Sequence, residues 1–227
     1  MISLPSIESV WNITESNFNV LCLQIFQYQA KNNTVFAEYL QLIDKDPNSI
    51  HHYTQIPFLP ISFFKTHKVV SSDFSPHKIF ESSSATGRGT SQHWVKQLDD
   101  YHTNCRKIIS QRLGSLKEYN ISALLPNYLE RENSSLVSMV SHLMKHNEQA
   151  EQFYLYNHSD LYDRLSSSSK KQLLFGVSFA LLDFAEQYHL TSDNLTIIET
   201  GGMKGRKKEL TKAEVYQQVK SAFPEAT

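Results

Sequence analysis

Apolar positions in the first forty-odd residues recur with helical spacing. Phe18, Leu21, Cys22, Ile25 and Phe26 fall at i, i+3, i+4, i+7 and i+8, and Phe36, Tyr39, Leu40 and Ile43 repeat the stripe after the Asn32-Asn33 break. Such stripes predict two amphipathic helices, and Asp46-Pro47-Asn48 supplies turn chemistry at their end. The stretch Ile56-Pro57-Phe58-Leu59-Pro60-Ile61-Ser62-Phe63-Phe64-Lys65 carries two prolines, which exclude a regular helix through 56–60. Its aromatic content predicts an extended segment packed down on the core.

From residue 77 the pattern changes. Short apolar runs alternate with helical stretches. Residues 77–81 read as a strand that leads into a Ser- and Gly-rich loop, residues 82–91. Trp94, Leu98, Tyr101, Cys105 and Ile108 then share one helical face. Residues 121–125 read as a buried strand stopped by Pro126, 136–144 as a helix, and 153–156 as a strand. Ser159 or Asp160 caps a short helix ending near the serines at 166–169. Residues 173–177 read as a strand entering an amphipathic helix through Phe179, Leu182, Phe184 and Ala185, and 195–198 as a further strand before Gly201-Gly202. Thr211, with Glu214 three residues on, forms a capping box for a last helix. Repeated alternation of strand and helix predicts an α/β fold with a mixed or parallel sheet flanked by helices. It gives a helical lead-in over 1–50 and an α/β portion over 51–227.

Composition adds exclusions. The 227 residues hold 22 Lys+Arg against 23 Asp+Glu, a net charge of −1. This gives no basic footprint for nucleic acid. No run approaches the roughly 20 apolar residues that span a bilayer, and the Met-Ile-Ser-Leu-Pro start lacks a signal-peptide pattern. The two cysteines, Cys22 and Cys105, each lie in a helical apolar stripe, which predicts two buried, reduced thiols and a cytoplasmic protein.

Two segments carry candidate chemistry. Ser82-Ser83-Ser84-Ala85-Thr86-Gly87-Arg88-Gly89-Thr90-Ser91 offers hydroxyls, glycines for close backbone approach and one cation, the composition a phosphate group needs. It lacks the spacing and lysine of a Walker loop. Glu199-Thr200-Gly201-Gly202-Met203-Lys204-Gly205-Arg206 places paired glycines after a strand, where a flat ligand can lie against backbone. Ten histidines invite a metal site, but His142 and His146 form only an i, i+4 pair with no third ligand at a fitting spacing. They read as surface residues, and no metal site is expected.

The Ser-Ser-Ser-Ala-Thr-Gly loop resembles the Ser-Ser-Gly-Thr-Thr-Gly phosphate loop of the acyl-protein synthetase (LuxE-type) branch of adenylate-forming enzymes. Three further passages are similar to that branch: residues 56–60 with Phe64-Lys65-Thr66-His67, residues 173–186, and Glu199 to Arg206. Together they cover most of the chain. The resemblance implies the N-terminal domain of a ligase that converts a fatty acid and ATP, with Mg²⁺, to an acyl-adenylate and passes the acyl group to a protein. An acyl-CoA reductase-like protein or an acyl carrier protein would be the partner. By position, Ser82, Ser83, Ser84, Thr86, Gly87 and Arg88 would hold the ATP phosphates. Gly201, Gly202 and Met203 would lie beside the adenine and acyl-adenylate, with His93 and Lys65 as further contacts. No catalytic residue is assigned.

Ser84-Ala85 stands where the family has Gly-Thr, which removes a positive-φ option and a hydroxyl. The family also extends beyond a point like Phe223 to Thr227, so the chain is expected to be a fragment that does not complete the reaction alone. The alternatives are an inactive nucleotide-binding remnant or interaction module of the same fold, and a phenylacetate-type acyl-CoA ligase.

Overall fold

The computed structural model describes residues 3–82, 90–125, 132–202 and 210–227. Among these the chain is mixed α/β and divides into two units, Met1–Gln97 and Leu98–Thr227.

The first unit holds helices α1 (Ile7–Trp11), α2 (Glu15–Asn32), α3 (Thr34–Leu42) and α4 (Phe63–Thr66), and an antiparallel pair, β1 (Lys78–Glu81) with β2 (Gln92–Val95). α2 begins in a capping box between Thr14 and Asn17, and α3 on Asn33, whose side chain accepts from Phe36 N at 3.2 Å. These caps satisfy backbone donors that a helix start leaves unpaired. The two stripes meet in a cluster of Phe26, Phe36, Leu40 and Ile50. Of the proline segment, Ile56 and Leu59 pack against that cluster, whereas Phe58 and Ile61 stand in solvent. The expected packing of the whole segment is therefore corrected: Ile56, Pro57, Leu59, Phe63 and Phe64 are partly buried, and the rest is exposed.

Trp94 is also corrected. It lies on β2, opposite Ile79, and the next helix starts only at Leu98. Apolar spacing across the 92–98 boundary mimicked a helical stripe, but β2 completes its ladder with β1 first.

The second unit is built on a parallel sheet of order β3-β4-β5, from β3 (Tyr119–Leu124), β4 (Lys171–Gly176) and β5 (Leu195–Glu199). Helices α5 (Leu98–Leu113), α6 (Ser135–His146), α7 (His158–Ser167), α8 (Ser178–Gln187) and α9 (Lys212–Ala222) flank it. Alternation along the strands separates two cores. Ile121, Ala123, Leu173 and Phe175 join Val140, Leu143 and Met144 of α6, while Leu124 and Leu174 join α7, α8 and the end of α9. Parallel strands covered on both faces read as continuous apolar runs, and β4 is buried from Gln172 to Gly176.

Both outer positions of the sheet carry short pairings. Ala123 bridges Phe153, so the strand expected over 153–156 is reduced to one bridge. Leu195 O and Ile197 N bond Thr227 at 3.0 and 2.8 Å. α7 has Asn157, rather than Ser159 or Asp160, at its N-cap position, with no capping bond from that side chain. α8 is not amphipathic: seven residues from Ser178 to Ala185 are buried, because the sheet lies beneath it and α9 beside it. Cys22 and Cys105 are half-buried free thiols rather than fully buried ones.

An aromatic ladder closes the α8–α9 side. Phe184 stacks on Phe223 at 5.6 Å and on Tyr188 at 5.1 Å, and Tyr188 on Tyr162 at 4.9 Å. Phe184 is fully buried while Ile108 on α5 is 54% exposed. Phe184→Ala is expected to cost about 3–5 kcal/mol and Ile108→Ala less than about 1 kcal/mol, as read by urea unfolding.

Candidate functional site

The path of the chain beyond β4 and β5 builds the site. Parallel strands end at the same edge, and the chain must turn there to reach the next helix. After β4 it passes Val177 and enters α8 at once. After β5 it makes the Gly201-Gly202 turn, with φ of 77° and 98°. Positive φ suits glycine because an L side chain would meet backbone there.

The turn is fastened to the start of α8. Ser178 N donates to Gly201 O at 3.1 Å and Phe179 N to Gly202 O at 3.3 Å. The first donors of the helix are thus spent on the glycine carbonyls rather than left for an anion. Glu199 completes the fastening: its Oε1 accepts from Gly201 N at 2.7 Å and from the buried hydroxyl of Ser178. Thr200 ties back to β4, its N and its Oγ1 donating to Gly176 O at 3.0 and 3.1 Å. Gly176 is glycine for space, since a Cβ there would come within 2.5 Å of Leu181 Cγ.

In front of this turn opens a cleft of about 430 Å³, lined by Ser178, Glu199, Thr200, Gly201, Gly202, Leu210, Lys212 and Val215. A second cleft of about 310 Å³ shares Glu199, Lys212 and Val215 with it and runs between β5 and α9 past Ile197, Tyr216, Val219 and Phe223. The wall changes from hydroxyl, carboxylate and backbone groups at the glycine end to aliphatic and aromatic groups at the other. Volumes of this size fall within the roughly 300–1,000 Å³ typical of small-molecule sites. Lys212 sits at the first position of α9, where the Thr211–Glu214 capping box fixes the helix start.

Of the residues singled out from the sequence, Gly201 and Gly202 line the cleft, and Met203 lies outside the described residues. Ser82 comes directly after β1. Its N donates to Ser91 O at 3.0 Å, and its hydroxyl accepts from Ser91 N at 2.9 Å, so the β1–β2 ladder extends by a residue and closes the mouth of the serine-rich loop. Ser83, Ser84, Thr86, Gly87 and Arg88 lie outside the described residues. The described residues on either side of the loop belong to two antiparallel strands, β1 and β2, and not to a strand and a helix as expected. His93 is exposed on β2 opposite Phe80, not at a helix start, and Lys65 is exposed on α4. His67 stacks on Phe63 at 5.0 Å and fixes the end of that short helix.

Glu199 and Thr200 belong to the candidate segment but were given no role, and Ser178 and Lys212 were not singled out. The signal for Ser178 and Thr200 was available, since both lie within two residues of a strand end. Lys212 reaches the cleft only through the packing of α9. Among the described residues no group of three His, Cys, Asp or Glu side chains is placed to hold a metal ion, and no helix is long and apolar enough to cross a membrane.

Compared with protein-family models, curated proteins and solved structures, the chain matches none.

Glu199→Ala leaves the buried Ser178 hydroxyl and Gly201 N–H without their acceptor. An unpaired buried polar group costs about 1–3 kcal/mol, so this variant is expected to unfold at lower urea with an unchanged slope. Ser178→Ala, which removes the hydroxyl rather than stranding it, is expected to cost less.

Proposed function

We infer that the chain is the nucleotide-binding part of an adenylate-forming ligase, and that the parent reaction is ATP-dependent activation of a fatty acid for transfer to a protein acceptor. The observation that carries this reading is the Gly201-Gly202 turn at the carboxyl ends of β4 and β5, facing a cleft with hydroxyl, carboxylate and ammonium groups on one wall. Bare glycine backbone lets a flat base approach more closely than a side chain would allow. The apolar continuation between β5 and α9 gives an aliphatic group a wall to lie on.

Activation joins the fatty acid carboxylate to the α-phosphorus of ATP and expels pyrophosphate. Charge develops on phosphate oxygens, so preorganised donors lower the barrier, and Mg²⁺ when bound shares that charge. In this reading Ser82, Ser83, Ser84, Thr86, Gly87 and Arg88 hold the phosphates, with His93 and Lys65 as further contacts. Gly201, Gly202 and Met203 flank the adenine and the acyl-adenylate. Thr200 and Lys212 offer the ligand a hydroxyl and a cation, and Glu199 keeps the glycine turn in shape. The acceptor is an acyl-CoA reductase-like protein or an acyl carrier protein, and the chain acts in the cytoplasm.

Titration calorimetry with ATP and Mg²⁺ tests the reading. Saturable binding by the wild-type chain is expected, weakened tenfold or more, about 1.4 kcal/mol, in Gly87→Ala and in Gly202→Val. Absence of binding by a chain whose circular dichroism and cooperative unfolding show it folded would leave an inactive remnant of the fold. The Ser84-Ala85 departure already points in that direction.

A further inference from the structure

α5 and α8 dock on the sheet of the second unit in opposite ways. α8 buries seven residues from Ser178 to Ala185, whereas no residue of α5 is fully buried. Among the described residues, α5 has Ile109 and Leu113 packed against the apolar cluster. It also meets α6 through polar groups. Tyr101 Oη donates to Ser135 O at 3.0 Å, His102 Nε2 lies 2.9 Å from Ser138 Oγ, and Arg106 Nη1 lies 3.4 Å from His146 Nδ1. At the centre the imidazoles of His102 and His142 are stacked, ring centroids 4.2 Å apart and planes within 13°. His142 Nε2 is buried with no hydrogen-bond partner among the described residues. His142 and His146, read from the sequence as surface residues, are thus both part of a helix–helix contact.

We propose that the His102–His142 stack is an acid-sensitive latch, which holds α5 against α6 near neutral pH and releases it when the imidazoles take up protons.

Two neutral imidazoles stack favourably, but two imidazolium ions at 4.2 Å repel, and the orphaned Nε2 has no acceptor to receive a proton's hydrogen bond. The surrounding charges reinforce this. Arg106 from α5 and Lys145 and His146 from α6 oppose further positive charge on the stack, and Lys117 from the turn after α5 opposes it on His146. Asp99 favours it. Glu151 is drawn toward Lys145 at 3.7 Å and accepts from Ser141. Tyr101 and Cys105 have their pKa values pushed up by burial and stay neutral throughout.

Burial, followed by the charge that His102 would carry when protonated and by Arg106 and His146, lowers His142 to about 4, and burial likewise lowers His102. A histidine freed from the stack returns to its ordinary value near 6.5. The released state therefore binds more protons between these limits. The latch is at full strength above about pH 6.5 and weakens as the pH falls from there toward 4.

Amide hydrogen exchange of the full chain at pH 7.5 and 5.0, corrected for intrinsic rates, tests this. Protection of α5 (Leu98–Leu113) is expected to fall tenfold or more at pH 5.0 relative to α8, and His142→Phe, which keeps a flat ring without a titrating group, is expected to abolish the difference. Equal α5 protection at both pH values in the wild type, or an undiminished loss in His142→Phe, would overturn the proposal. If the variant does not fold, proton NMR of the wild-type imidazoles decides: His102 and His142 both titrating near pH 6.5 while α5 stays protected would sink it, and suppressed titration until α5 opens would support it.

Discussion

Central placement of β4 is the constraint on which the second unit rests. Paired on one side with β3 and on the other with β5, it has both edges hydrogen-bonded, and its side chains have helices over both faces. A strand in that position cannot carry charge on either face without stranding it away from water. Lys171 stands exposed at the start of the strand, and the buried part accordingly reads Gln172-Leu173-Leu174-Phe175-Gly176, with the Gln172 amide N–H donating to Lys170 O. Helices must then cover both faces, because parallel strands are joined only by crossovers. Strand ends also coincide, since parallel register aligns Leu124, Gly176 and Glu199 at one rim. The cleft at that rim is a consequence of the pairing rather than an addition to it.

The rim has its own competition for hydrogen bonds. A helix start offers free N–H groups, and α8 begins where an anion would find them. Here Gly201 O and Gly202 O take those donors, and Glu199 takes the hydroxyl of Ser178. The cleft therefore presents to a ligand the glycine backbone itself, Thr200 and Lys212, with the α8 dipole partly neutralised by two carbonyls and a carboxylate. Such a surface suits a flat, weakly charged group better than a phosphate.

Much of this was legible in the sequence, for identifiable reasons. The strands read over 121–125, 173–177 and 195–198 and the helix read over 136–144 lie within two residues of the observed bounds, because each is a short apolar run or stripe flanked by turn residues. Thr211 and Glu214 announced their helix by local chemistry alone. Errors arose where a tertiary partner decided. Trp94 fits a helical stripe by spacing and a strand by pairing with Ile79, and only the partner strand distinguishes them. Phe153 is apolar enough for a strand but finds one bridge on β3 before the chain leaves. At the site, Gly201 and Gly202 stood out because their chemistry is local. Lys212 and Val215 did not, because only the packing of α9 brings them to the rim.

The same contrast between local and tertiary causes separates α5 from α8. Both are helices of ordinary length with aromatic and aliphatic residues at helical spacing, and from the sequence they look equally committed to the core. α8 excludes water along most of its length, so its docking depends on apolar area and changes little with pH. α5 keeps tyrosine, histidine and arginine where α8 has leucine and phenylalanine, and its contact with α6 includes histidines whose interactions depend on protonation. A fold that wanted only stability would replace His102 and His142 by an apolar pair of the same shape, since an unpartnered buried nitrogen adds cost without compensation. That cost falls on α6 at its contact with α5, a helix with no fully buried residue, so the attachment of α5 is the one tied to the protonation of the pair.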